Sequence, residues 1–161
     1  TVRGLRATTA GLALLPLSAV FVAVSSRSGA IVAHLGQRAT IALGMFAMGL
    51  GCVGLYADPA ASWPLFLIAL TCTGAGLGLT TGPVLGYAVK RAPDERAGVA
   101  SGIGNAARML GATLGVAILG AASVGVSAGH TGPLRWGYAG GALVEFVGAV
   151  IAVVGIRTAA R

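Results

Sequence analysis

Residues 62–91 read SWPLFLIALTCTGAGLGLTTGPVLGYAVKR, and the first 28 of these positions carry no charge. A helix rises about 1.5 Å per residue, so the run reaches about 40 Å, more than the ~30 Å hydrocarbon thickness of a bilayer. In lipid such a run has one stable form. An α-helix satisfies each backbone N–H and C=O within its own segment, and no other open chain does. Lys90 and Arg91 then mark the return to water.

Four further apolar runs flank this one. They cover 7–24, ended by Ser25, Ser26 and Arg27; 39–57, uncharged; 98–125, broken only by Arg108; and 136–156, broken only by Glu145. The sequence therefore predicts an all-α fold, a polytopic membrane helix bundle. It forms a single transmembrane domain over 1–161 with about five helices at 7–24, 39–57, 62–89, 98–125 and 136–156. Arg3 and Arg6 before the first run imitate a signal peptide, but the run is long, contains Pro16 and is followed by four more. Composition agrees with the membrane reading: 56% of residues are hydrophobic and 9% charged, against about 25% charged in soluble domains. The same numbers exclude a disordered chain.

The formal net charge is +7. In a soluble domain that would suggest nucleic acid as a partner. Here the basic residues stand singly or in small groups between apolar runs, so no nucleic-acid partner is expected and membrane lipid surrounds the chain. The basic residues instead report topology. With alternating helices, Arg27, Arg38, Lys90, Arg91, Arg96, Arg157 and Arg161 share one side, against Arg3, Arg6 and Arg135 on the other. The positive-inside rule puts the richer side in the cytoplasm. The expected localisation is a multi-pass protein of the plasma (inner) membrane with a cytoplasmic C-terminus and an outside N-terminus. Tyr56, Trp63, Trp136 and Tyr138 fall at the outer interface, where amphipathic rings prefer to lie. The outside start implies at least one helix upstream, so the bundle is expected to be incomplete.

Glycine occurs 27 times, and Gly74, Gly78, Gly82 and Gly86 recur every four residues. Gly111 and Gly115, and Gly137 and Gly141, repeat that spacing. Small residues at i, i+4 let membrane helices approach closely. Pro83 follows Gly82 and removes a helix hydrogen bond, so the ladder reads as close packing or as a hinge. Gly49, Gly51 and Gly54 match GxGxxG, but they lie inside a membrane helix and lack the strand and acidic residue of a dinucleotide site.

Arg108 and Glu145 are the charges within spans. An ionisable group there costs at least ~2.5 kcal/mol and needs a partner or water. Arg108 stands about 15 Å up its helix and Glu145 about 16 Å up the next. They are expected to pair or to share an aqueous cavity. Asn105, three residues before Arg108, lies on the same helix face. Asn105, Arg108 and Glu145 are thus the candidates for a substrate path or for coupling. Cys52 and Cys72 read as small packing residues, and His34 and His130 as solvated loop residues. No catalytic set, metal site or cofactor can be assembled, so no enzyme is expected. Asp94 and Glu95 suit the N-terminus of the fourth helix.

The run from Asp94 through Gly102, followed by Asn105, Arg108, Gly111 and Leu114-Gly115-Val116-Ala117, resembles the major facilitator superfamily. The most similar branch is the fourteen-helix drug:proton antiporters of EmrB/QacA type. The stretch Ala10 to Pro16 is similar to the same branch. Gly29, Gly36 and Arg38 fit the superfamily's basic cytoplasmic loop motif. Ala33 replaces its Asp, and His34 stands where a basic residue is usual. The resemblance implies the last five helices of a six-helix C-terminal bundle, whose partner is the missing N-terminal half of the transporter. It implies secondary active efflux of small hydrophobic or cationic compounds by proton antiport, driven by the proton gradient without a cofactor. The alternative is a stand-alone truncated five-helix membrane protein with a structural or interaction role.

Overall fold

The computed structural model describes residues 11–57, 63–127 and 132–156, and helices account for nearly all of them. We number them α1 (Leu15–Ser25), α2 (Ser28–Leu35), α3 (Gln37–Ala57), α4 (Trp63–Arg91), α5 (Ala97–Ser127) and α6 (Gly132–Gly155). A 3-10 turn, Asp94–Arg96, leads into α5. Its two acids stand at the positive end of that helix. Proline occupies the first turn of α1, α4 and α6 as Pro16, Pro64 and Pro133, where its missing N–H has no helical partner to lose.

Four of these helices are long and apolar enough to cross a membrane, and a fifth span exists if 11–25 and α2 together make one. α3 to α6 match the expected spans to within a few residues at their ends. The beginning of the first span, 7–10, lies outside the described residues, as do His130, Arg3, Arg6, Arg157 and Arg161.

The segment 29–38, expected as a loop, is a correction. The chain breaks only at Ser26 and Arg27, bends by 54°, and resumes as α2. Gly29 sits inside that helix, His34 in its last turn, and Arg38 in the first turn of α3. Apolar Ala30 to Ala33 favour continued helix once the carbonyls at the end of α1 have partners. The Ser26 hydroxyl and an Arg27 guanidinium N–H donate to the Ala23 carbonyl at 3.0 and 3.1 Å, and the Ser28 hydroxyl donates to Ser25 at 2.8 Å. Gly36 separates α2 from α3 with φ +81°, a left-handed conformation that glycine adopts without strain.

Packing follows the glycines. A Cβ on Gly74 would lie 2.5 Å from the Leu17 carbonyl oxygen, and one on Gly78 would lie 3.0 Å from that of Phe21. Their order makes α4 parallel to α1. Gly44 meets Thr80 and Gly76, while Gly51 meets Thr73 and Ala69, so α3 runs antiparallel to α4. Gly49 meets the Phe146 ring, and Gly148 meets the Met45 sulfur, so α6 is antiparallel to α3. α3 is the centre of the bundle.

The interior is made mostly of small residues, with Ile41 and Leu70 as large exceptions, and most of the large apolar side chains face outward. Ala13, Ala69, Ala142 and Ala152 are buried and Thr40 is fully enclosed, whereas Val116 and Val154 are 73% and 76% exposed. That inversion of a soluble core is expected when lipid is the solvent. The helix directions bring Arg27, Arg38, Lys90, Arg91 and Arg96 to one end of the bundle. Tyr56, Trp63, Trp136 and Tyr138 lie at the other.

Candidate functional site

α5 is thinly packed. None of its apolar window is buried, and it touches α4 through Gly104, 3.0 Å from Leu85 for an added Cβ. Gly111 and Gly115 have open space beside them, so their spacing serves no contact among the described residues. Between α5, α4 and α3 this loose fit leaves a cavity of about 460 Å³. Its apolar walls include Met45, Leu77, Val84 and Leu85, and its polar groups come from Thr80, Thr81, Asn105 and Arg108.

The polar groups are arranged. Arg108 donates from Nη2 to Asn105 Oδ1 at 3.2 Å, across one helical turn. That bond uses the amide oxygen of Asn105 and leaves its NH₂ as a donor. The Thr80 hydroxyl donates to the Gly76 carbonyl at 3.0 Å, and the Thr81 hydroxyl donates to Leu77 at 2.7 Å. Their protons are therefore committed to the helix, and their oxygens remain acceptors.

Of the three sequence candidates, the structure brings Asn105 and Arg108 together at the cavity and leaves Glu145 elsewhere. Among the described residues no ion pair joins Arg108 to Glu145. Glu145 shares the α6 face of Gly141 and Gly148, which abut Cys52 and Met45 of α3. Equal depth on consecutive helices was no guide to contact, because each side chain's direction around its helix differs.

The glycine ladder divides similarly. Gly74 and Gly78 carry the α1 contact, Gly82 reaches only ordinary contact with the Ser28 hydroxyl at 3.5 Å, and Gly86 faces open space. Pro83 lies within a continuous α4. Its carbonyl accepts a 2.6 Å hydrogen bond from the Gln37 side chain. The GxGxxG glycines 49, 51 and 54 are packing positions against Phe146, Thr73 and Ala69. Gln37, Thr80 and Thr81 were missed from sequence; adjacent hydroxyls at 80 and 81, in a span whose other threonines are Thr71 and Thr73, are the signal that points to the last two. No cluster of three or more His, Cys, Asp or Glu able to hold a metal occurs among the described residues.

The chain matches the Major Facilitator Superfamily over residues 1–160. It is 39% identical over 119 residues to the multidrug resistance protein Stp of Mycobacterium tuberculosis, covering 74% of this chain and 22% of that protein. It is 35% identical over 119 residues to the drug efflux pump JefA of the same species, covering 74% and 23%. Over 123 residues it is 31% identical to the tetracenomycin C resistance and export protein of Streptomyces glaucescens, covering 74% and 22%. The match thus spans less than a quarter of the length of each relative. No solved structure matches the chain. A helical membrane bundle, glycine-packed and matched along almost its whole length, belongs to the Major Facilitator Superfamily.

Proposed function

We propose that this chain forms part of a secondary active exporter that moves small, largely hydrophobic compounds out of the cell in exchange for protons. The observation that carries the reading is the cavity beside α5, apolar in its walls and polar at Asn105, Arg108, Thr80 and Thr81. A few placed polar groups in an apolar cavity are what a small-molecule site requires. The relatives named for multidrug resistance and drug efflux support the same reading.

The remainder of the transporter, an N-terminal bundle, covers the thinly packed face of α5, and the two bundles rock against each other so that the cavity opens to each side in turn. The chain lies in the plasma membrane with its basic end, and hence its C-terminus, in the cytoplasm. The glycine-proline segment of α4, at Gly82 and Pro83, flexes during that exchange.

The test is transport by the complete protein in inverted membrane vesicles. Imposing a proton gradient should drive uptake of a hydrophobic dye, and a protonophore should abolish it. Dye movement indifferent to the gradient would remove the antiport reading.

A further inference from the structure

We propose that the cavity beside α5 selects for organic anions and weak acids, and against cations. The inference rests on the exporter reading and adds the sign of charge that the substrate carries.

The argument begins with the donors. Arg108 spends one N–H on Asn105 and keeps four for other acceptors. Asn105 has its oxygen engaged by Arg108, so its amide presents N–H groups outward. Thr80 and Thr81 have given their protons to the carbonyls of Gly76 and Leu77. The cavity thus offers a cluster of strong donors on α5 and only neutral hydroxyl oxygens opposite, on α4. Among the described residues no acidic side chain lines it. A carboxylate or phenolate oxygen matches the guanidinium, because charge-assisted hydrogen bonds of this type are short and about twice as strong as neutral ones.

The second step is the environment. Leu77, Val84, Leu85 and Met45 give the cavity an apolar wall on the α3 and α4 side, while Arg108 and Asn105 stand exposed on α5. Once the second bundle covers α5, a charge there acts more strongly than in water, since the Coulomb energy varies inversely with the effective dielectric. A cation entering the cavity meets Arg108, and no carboxylate among the described lining residues offsets the repulsion. Glu145, the other charge interrupting the apolar runs, lies on the α6 face whose Gly141 and Gly148 abut Cys52 and Met45 of α3, and is absent from the lining. The ligand that fits has a flat or rounded apolar body against Leu77, Val84 and Leu85. It directs an anionic oxygen toward Arg108 and Asn105, and a hydroxyl on it donates to Thr81.

The experiment uses the complete transporter in inverted vesicles with two dyes, fluorescein as the anion and ethidium as the cation. The expected result is gradient-driven uptake of fluorescein several-fold faster than of ethidium. Arg108→Gln should then slow fluorescein uptake at least about tenfold, the weight of a hydrogen bond to a charged group, without slowing ethidium. Arg108→Lys should restore part of the fluorescein rate. Ethidium moving as fast as fluorescein in the unaltered protein overturns the inference while leaving the exporter reading intact. So does Arg108→Gln slowing both dyes equally at unchanged protein level. Gradient-independent movement of both dyes removes the exporter reading, and this inference with it.

Discussion

The side-chain amide of Gln37, in the first turn of α3, donates a 2.6 Å hydrogen bond to the main-chain carbonyl of Pro83 in α4. It ties the centre of the bundle to the one interior proline of the described helices. Pro83 has no N–H, so the helix ladder of α4 is already one bond short at Leu79. The clip from Gln37 steadies α4 at that point. Gln37→Leu should lower thermal stability in detergent by ~1 kcal/mol or somewhat more, read as a midpoint shift of about 2–4 °C.

Pro83→Ala separates packing from flexing. Alanine restores the missing bond and has better helix propensity. If α4 flexes there during transport, the variant should be at least as heat-stable as the parent yet transport several-fold more slowly. A variant with both properties unchanged would leave Pro83 a packing residue only.

The glycines of α4 should not be equivalent. Gly74→Ala places a methyl against the Leu17 backbone, and backbone cannot move aside as a side chain can. Overpacking of this kind costs ~1–3 kcal/mol. Gly86→Ala meets nothing within 4 Å and should gain up to ~1 kcal/mol of helix propensity. Parallel melting curves of the two variants should therefore shift in opposite directions.

Arg108 and Glu145 should behave as independent sites. With no ion pair between them, a double-mutant cycle of Arg108→Gln and Glu145→Gln should give a coupling below ~0.5 kcal/mol in thermal stability. A coupling of several kcal/mol would restore the buried pair that equal depth suggested.

Arg135 closes the opposite end of the bundle. Its Nε donates to the Tyr56 carbonyl at 3.1 Å, and its guanidinium lies 4.9 Å from the Tyr56 ring centroid. The contact places a cation at the C-terminal end of α3, where the helix dipole favours it. Arg135→Gln should cost ~1 kcal/mol. Arg135→Lys should recover only part, because a lysine ammonium lacks the planar fork that both stacks and donates. Melting curves of the two variants provide the check.

The sequence by itself determined the helices, their approximate ends and their membrane character. These follow from a one-dimensional property: an apolar run such as 62–89 is too long for a soluble helix and must satisfy its own backbone in lipid. The basic residues also sort by side from sequence alone, since alternation assigns Arg38 and Lys90 to one end without any knowledge of contacts. The break after Ser25 was legible as a boundary. Its continuation as α2 was not, because that depended on Ser26, Arg27 and Ser28 finding carbonyls to cap.

Only the tertiary structure decided which faces meet. A helix apolar all around carries no stripe that marks its inner side. Gly74 and Gly86 therefore look alike in sequence, yet one abuts a neighbouring backbone and the other faces open space. Arg108 and Glu145 likewise share a depth and differ in direction. The rotation of α5 and α6 about their own axes, fixed by how Gly104, Gly141 and Gly148 pack against Leu85, Cys52 and Met45, turns Arg108 to the cavity and Glu145 to α3.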